Sequence, residues 1–122
     1  MVYFVESSAP AAQLIRQNLA SLEISSGYEV LQREVGQALR KLEERGLSAD
    51  YCFLDPPYRL RDEYRKALER MGASGLVAPE SVIIAEHDKK FDPGEEVGEL
   101  KRFRLLVQGD AGLSFYRKRI RQ

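Results

Sequence analysis

Tryptophan is absent from this chain of 122 residues, and cysteine and histidine occur once each, as Cys52 and His87. One histidine and one cysteine fall short of the ligand set of a zinc centre, so no metal site is expected. Ser7, Ser8 and Cys52 have no histidine in a triad-like pattern, which removes nucleophilic hydrolysis. His87, within Glu86-His87-Asp88, reads instead as a solvated loop residue. Neither sign of charge is in excess: Lys+Arg and Asp+Glu both number 19, so any contact with a polyanion must use local patches. No apolar run approaches the roughly 20 residues of a membrane-spanning helix, and no secretory pattern opens the chain. Repeats, low-complexity tracts and linkers are missing too. A single domain in the cytoplasm, with no membrane partner, is therefore expected.

What is present is a soluble composition, 43% hydrophobic and 31% charged, and one stretch that packing alone does not call for. Tyr51-Cys52-Phe53-Leu54 is an apolar strand-like run ending on Asp55-Pro56-Pro57-Tyr58. Proline cannot donate to a ladder, so the strand must stop near Asp55. The second proline holds Pro56 away from helical geometry, leaving a stiff extended turn. Cys52, inside the run, reads as a buried thiol in a reducing compartment. An exocyclic amine on a nucleobase is a poor nucleophile because its lone pair is delocalised into the ring. The Asp55 carboxylate and the Pro56 carbonyl are two acceptors for its N–H bonds, and Tyr58 offers a ring to stack on the base. The plainer alternative is an ordinary Pro-Pro turn after a strand.

The rest of the chain alternates strand and helix. Val2–Val5 is strand-like and ends on Glu6, with Ser7, Ser8 and Pro10 starting a helix over roughly 9–23 whose apolar face is Leu14, Ile15, Leu19 and Leu22 and which Gly27 breaks. Tyr28–Leu31 is a short strand. A helix with Val35, Ala38, Leu39 and Leu42 on one face then stops at Gly46. A third helix begins near Asp62, gathers Tyr64, Ala67, Leu68 and Met71, and ends at Gly72 and Gly75. Val82–Ala85 reads as a buried strand, 89–98 as a loop, and Leu100–Gln108 with Leu113–Lys118 as a hairpin around 109–112, with Phe103, Leu105 and Val107 on one face. This order predicts an α/β three-layer sandwich, its sheet mostly parallel with an antiparallel C-terminal hairpin.

Val5-Glu6, Ile15-Arg16-Gln17-Asn18-Leu19, Phe53-Leu54-Asp55-Pro56-Pro57-Tyr58 and the hairpin from Gly109 to Tyr116 together resemble the RsmD family, over nearly all of the chain and in the family's order. The resemblance implies a class I, Rossmann-like methyltransferase fold that uses S-adenosylmethionine to methylate the exocyclic N2 of a guanine in 16S ribosomal RNA, with the small ribosomal subunit as partner. D-P-P-Y alone is shared with adenine-N6 and cytosine-N4 DNA methyltransferases. Relative to the family, the chain is expected to lack the first strand and the glycine-rich cofactor loop: no G-x-G-x-x-G-like turn occurs in it. Without that strand, Val2–Val5 and Phe53–Leu54 should pair directly, or leave edges that another chain fills, which would make a homo-oligomer.

Carried over residue by residue, the resemblance makes Asp55, Pro56 and Tyr58 the target-base site and Glu6 the acid for the cofactor ribose. Glu34 falls near the family's acid beside the adenine, although Arg33-Glu34-Val35 is not the usual spelling. Asn18 matches a helix-surface position. Arg59 and Arg61, just after the turn, are placed to meet RNA phosphates, and Lys118, Arg119 and Arg121 to extend that contact. The rival to an enzyme is a non-catalytic α/β module that binds RNA or a partner without cofactor.

Overall fold

A computed structural model describes residues 1–55 and 61–119, with the side chain of Arg61 outside that set. The chain divides into two compact units, Met1–Leu42 and Glu43–Gln122.

The first unit is a strand-helix-strand-helix run. Strand β1 (Val2–Val5) pairs in parallel with β2 (Tyr28–Leu31), in register from Val2 opposite Tyr28 to Val5 opposite Leu31. Between them, α1 (Ala9–Ser21) starts as its sequence dictates: Ser8 is extended and its Oγ accepts from the Ala11 N–H, while Pro10 sits where a donor is not needed. Its end differs from expectation. The helix stops at Ser21, and Glu23, not Gly27, supplies the left-handed residue, with φ +60°. The Glu23 N–H donates to the Ala20 carbonyl (3.0 Å) and the Ile24 N–H to the Leu19 carbonyl (2.9 Å), which is the Schellman pattern. Ala12 and Leu19 are buried, but Leu14 and Leu22 of the expected apolar face are exposed. Helix α2 (Val35–Glu44) buries Ala38 and Leu42 and leads into the second unit.

The second unit is a five-stranded sheet with one helix on it. Strands β3 (Ala49–Leu54), β4 (Val77–Asp88), β5 (Glu96–Val97), β6 (Leu100–Gln108) and β7 (Ala111–Lys118) lie in the order β3-β4-β7-β6-β5. The β3–β4 pair is parallel and the others are antiparallel. From Ser81 to Asp88 every second residue of β4 is buried. That face, Ser81, Ile83, Ala85 and His87, is one-sided core rather than a strand buried all round. Helix α3 (Arg61–Ala73) packs against β4, β5 and β6 and contributes Tyr64, Leu68 and Met71. The Tyr64 hydroxyl donates to the Glu86 carbonyl at 2.7 Å. At Gly72 a β-carbon would meet Leu100 Cγ at 2.9 Å, so the helix approaches the sheet closely because glycine is there.

The β6–β7 hairpin turns on Gly109-Asp110, with Gly109 at φ +61° and Gln108 paired to Ala111. The register slips between Arg102 and Arg104. Arg102 pairs with Tyr116 and Leu105 with Ser114, on the helix side; Arg104 pairs with Phe115 on the other. Phe103 stands 6.2 Å from Phe115, ring to ring, and so lies on that other face. The alternation that grouped Phe103 with Leu105 and Val107 is thus broken by a bulge.

Among the described residues, seven strands form two separate ladders, in which β1 pairs with β2 alone and β3 with β4 alone. Among the described residues, the far edges of β1 and β3 carry no ladder partner. Also among these residues, no helix is long and apolar enough to cross a membrane.

Candidate active site

Leu54 closes β3 with its side chain 8% exposed, opposite Ala85 in the parallel ladder. The next residue, Asp55, is exposed. The carboxylate therefore leaves the sheet at the C-terminal end of a parallel strand, the rim at which open α/β sheets take their ligands. It does not turn into the core. Pro56, Tyr58 and Arg59 lie outside the described residues, as does the side chain of Arg61, although Arg61 begins α3. Three residues before Asp55, within β3, Cys52 is half-buried and burial pushes its thiol up from the ordinary range, so it is a poor nucleophile.

In the first unit, Glu6 holds the equivalent position at the end of β1. Its N–H donates to the Leu31 carbonyl (3.1 Å), tying it to the end of β2, and its Oε1 accepts from the Ser8 N–H (3.1 Å). The side chain is half-buried, and one carboxylate oxygen is held in place by the helix start it braces. Glu34 is exposed and its carbonyl accepts from Ala38 in the first turn of α2. Asn18 is an exposed helix residue whose carbonyl accepts from the Leu22 N–H.

The structure corrects two readings. His87 is not a solvated loop residue. It belongs to β4, is 2% exposed, and has both ring nitrogens engaged, Nδ1 with the Asp88 carbonyl (2.9 Å) and Nε2 with Ser114 Oγ (2.8 Å). The Asp88 carbonyl can only accept, so Nδ1 carries the proton and the Ser114 hydroxyl donates to Nε2. Nor are Lys118 and Arg119 without partners inside the protein, as an open phosphate contact would have them; Arg121 lies outside the described residues. Lys118 Nζ donates to the Ser74 carbonyl (3.1 Å), and Arg119 pairs with Glu96 (3.5 Å).

A polar cluster running from buried Ser114 and Tyr116 out to exposed Asp92 escaped the sequence reading altogether. Arg102 grips Asp92 through two nitrogens, at 2.6 and 3.4 Å, and donates to Ser114 Oγ at 3.3 Å. The guanidinium bond holds the Asp92 carboxyl below the usual range, and Asp92 in turn raises Arg102. Burial pushes the Tyr116 phenol up, and its hydroxyl donates to the Gly94 carbonyl (2.7 Å). These contacts pin the 89–98 segment to β6 and β7. The only signal for them was alternation, which put Ser114 and Tyr116 on one face of β7.

The family model described as conserved hypothetical protein 95 matches residues 1–117. The chain belongs to that family. It is the family that its motifs resemble under the name RsmD. Within it, the chain is 29% identical over 116 residues to YlbH of Bacillus subtilis (strain 168), named as a candidate rRNA methyltransferase; the match takes in 95% of this chain and 62% of that one. The chain thus spans less than two thirds of this curated relative. Among solved structures it is similar to YhhF of Escherichia coli, described as a candidate methyltransferase (TM-score 0.71, 20% identity, 98% of this chain and 64% of that). It is also similar to SMU.776, a candidate methyltransferase solved in complex with SAH (TM-score 0.66, 12% identity, 94% and 38%). These likenesses establish a Rossmann-like α/β methyltransferase fold for the family's matched region, in which Asp55 and Glu6 stand at strand ends.

Proposed function

We propose that the chain carries the target-base site of an S-adenosylmethionine-dependent methyltransferase that modifies the exocyclic N2 of a guanine in 16S ribosomal RNA. The observation that carries the reading is Asp55: an exposed carboxylate directly after a buried leucine at the C-terminal end of a parallel strand, followed in sequence by Pro56, Pro57 and Tyr58. Family membership and the rRNA methyltransferase name of the Bacillus relative support methyl transfer to RNA.

The donor set fits the cofactor. Glu6 presents a carboxylate braced on one oxygen by Ser8, leaving the second oxygen for a ribose hydroxyl; Glu34 stands exposed ahead of α2. S-adenosylmethionine, when bound, supplies a methyl carbon activated by a sulfonium. Asp55 accepts an N–H of the base amine, with the Pro56 carbonyl taking the other, which turns the nitrogen lone pair out of conjugation and towards the donor. As the nitrogen gains positive charge, the carboxylate stabilises it. Proton removal need not precede transfer, so alignment is the main contribution of these residues. Tyr58 stacks on the ring, and Arg59 and Arg61 meet the flanking phosphates.

Calorimetric titration of S-adenosylmethionine into the 122-residue chain, followed by methyl transfer to 16S ribosomal RNA, tests the reading. Micromolar binding and N2-methylguanine in the digested RNA are expected. The cofactor-free rival predicts RNA binding with no heat from S-adenosylmethionine.

A further inference from the structure

Tyr64 lies in the first turn of α3, fully buried, and its hydroxyl donates to the Glu86 carbonyl at 2.7 Å. Where that bond lands bears on Asp55. Leu54, the last residue of β3, stands opposite Ala85 in the parallel ladder, and Glu86 is the next residue of β4. The chain therefore leaves β4 beside Ala85, and α3 is tied back to β4 at Glu86. The stretch 55–63, which holds Asp55-Pro56-Pro57-Tyr58 in sequence, has its two ends fixed to neighbouring residues of one strand.

The ladder alone cannot supply the second tie. A parallel pair is held by N–H donors on both strands, and Asp55 is followed by two prolines, which have none to give. The Tyr64 hydroxyl brings a donor to the rim of β4 at the level where those of the β3 chain run out. Its ring has firm neighbours there. Phe91 of the 89–98 segment tilts against it at 5.4 Å and meets His87 edge-on at 6.4 Å, and His87 is itself held on both nitrogens. Burial makes a hydroxyl-to-carbonyl bond in such a setting costly to break.

We infer that Tyr64 is a positioning residue for Asp55: its hydroxyl anchors the first turn of α3 to the rim of β4, so the carboxylate stands on a chain fixed at both ends and is aimed before the base arrives. The inference rests on the reading that Asp55 holds the base amine. Alignment is what that reading asks of the site, and a displacement of about 1 Å at a reacting group costs up to about a hundredfold in rate.

The test sets Tyr64→Phe against Tyr116→Phe. Each removes one hydroxyl from a fully buried ring, and each deletes a 2.7 Å bond to a backbone carbonyl. Tyr116 stands opposite Ile83, three residues before Glu86 on β4 and so about 10 Å from the rim. Thermal unfolding should show similar losses of Tm in the two variants, which makes Tyr116→Phe the measure of a purely structural deletion. Hydrogen exchange read by mass spectrometry then separates them without any catalysis: amides between Tyr58 and Tyr64 should exchange about fivefold faster in Tyr64→Phe and at the parent rate in Tyr116→Phe. In methyl transfer to 16S ribosomal RNA, Tyr64→Phe should lower kcat at least about tenfold, with the KM for RNA and the calorimetric affinity for S-adenosylmethionine within about twofold of the parent; Tyr116→Phe should keep kcat within about twofold. A parent kcat in Tyr64→Phe, or equal losses of kcat in the two variants, would overturn the inference. So would exchange between Tyr58 and Tyr64 that the Tyr64 substitution leaves unchanged. A parent chain that transfers no methyl group would instead contradict the reading of function, and the exchange contrast would still decide whether Tyr64 anchors the chain after Asp55.

Discussion

Replacing Gly112 with alanine should destabilise the second unit by driving a methyl group into a ring that has nowhere to go. A β-carbon built at residue 112 lies 2.6 Å from His87 Cε1, 3.1 Å from Nδ1 and 3.2 Å from Nε2. Carbon atoms are at ease about 3.5–4.0 Å apart, so the imidazole must retreat by about 1 Å. It cannot do so freely, being held by Asp88 on one nitrogen and Ser114 on the other, with Phe91 edge-on at 6.4 Å. Overpacking of this kind costs about 1–3 kcal/mol. Loss of one buried hydrogen bond adds about 1–3 kcal/mol, and the better strand preference of alanine returns up to about 1 kcal/mol. The net expectation is about 2–4 kcal/mol, or roughly 8–15 °C in Tm for a domain of this size. Thermal unfolding followed by circular dichroism reads it. In a His87→Ala background the same substitution should cost under about 1 kcal/mol, because the ring it strikes is gone. A Tm within about 2 °C of the parent in the single variant, or equal losses in both backgrounds, would refute the packing argument.

Two further outcomes follow from contacts already described. Glu23→Gly should stabilise the chain by about 0.5–1 kcal/mol in urea unfolding, since glycine relieves the left-handed strain at the end of α1 but gains entropy when unfolded; a loss of stability would mean that the glutamate side chain has a role that the cap geometry does not show. Asp92→Asn should flatten the acid side of the stability profile. The folded carboxyl is held below its ordinary range by Arg102, so its contribution is present above that range and disappears as pH falls through the folded value. With the Asp92 side chain 62% exposed, the difference at neutral pH should stay under about 1 kcal/mol and close at low pH. Parallel profiles for the two proteins would count against the pairing.

The alternation of strand and helix was legible because each element is signalled locally. Ser8 and Pro10 mark a helix start, Asp55-Pro56 a strand end, and Gly109-Asp110 a hairpin. What escaped was set by partners far away in the chain. His87 looks polar and exposed beside Glu86 and Asp88, but β4 runs through all three because Gly112 and Ala111 pair with its end. Ser114 and the Asp88 carbonyl then satisfy the ring. The bulge that reverses Phe103 depends on how β6 meets β7, which no short window records. Lys118 and Arg119 read as an extension of the phosphate contact because their partners, Ser74 and Glu96, lie 44 and 23 residues earlier. In the candidate site, by contrast, Asp55 could be read from the sequence because its exposure follows from the prolines after it, not from any distant contact.

The central claim is that Asp55 holds the amine of the target base. Its most direct test compares the chain with its Asp55→Ala variant, measuring transfer of labelled methyl groups from S-adenosylmethionine to 16S ribosomal RNA alongside calorimetric binding of the cofactor. The account predicts that transfer falls at least about a hundredfold while cofactor affinity stays within about threefold, as expected for a group that acts on the amine in the transition state. Transfer by the variant at the parent rate would contradict it.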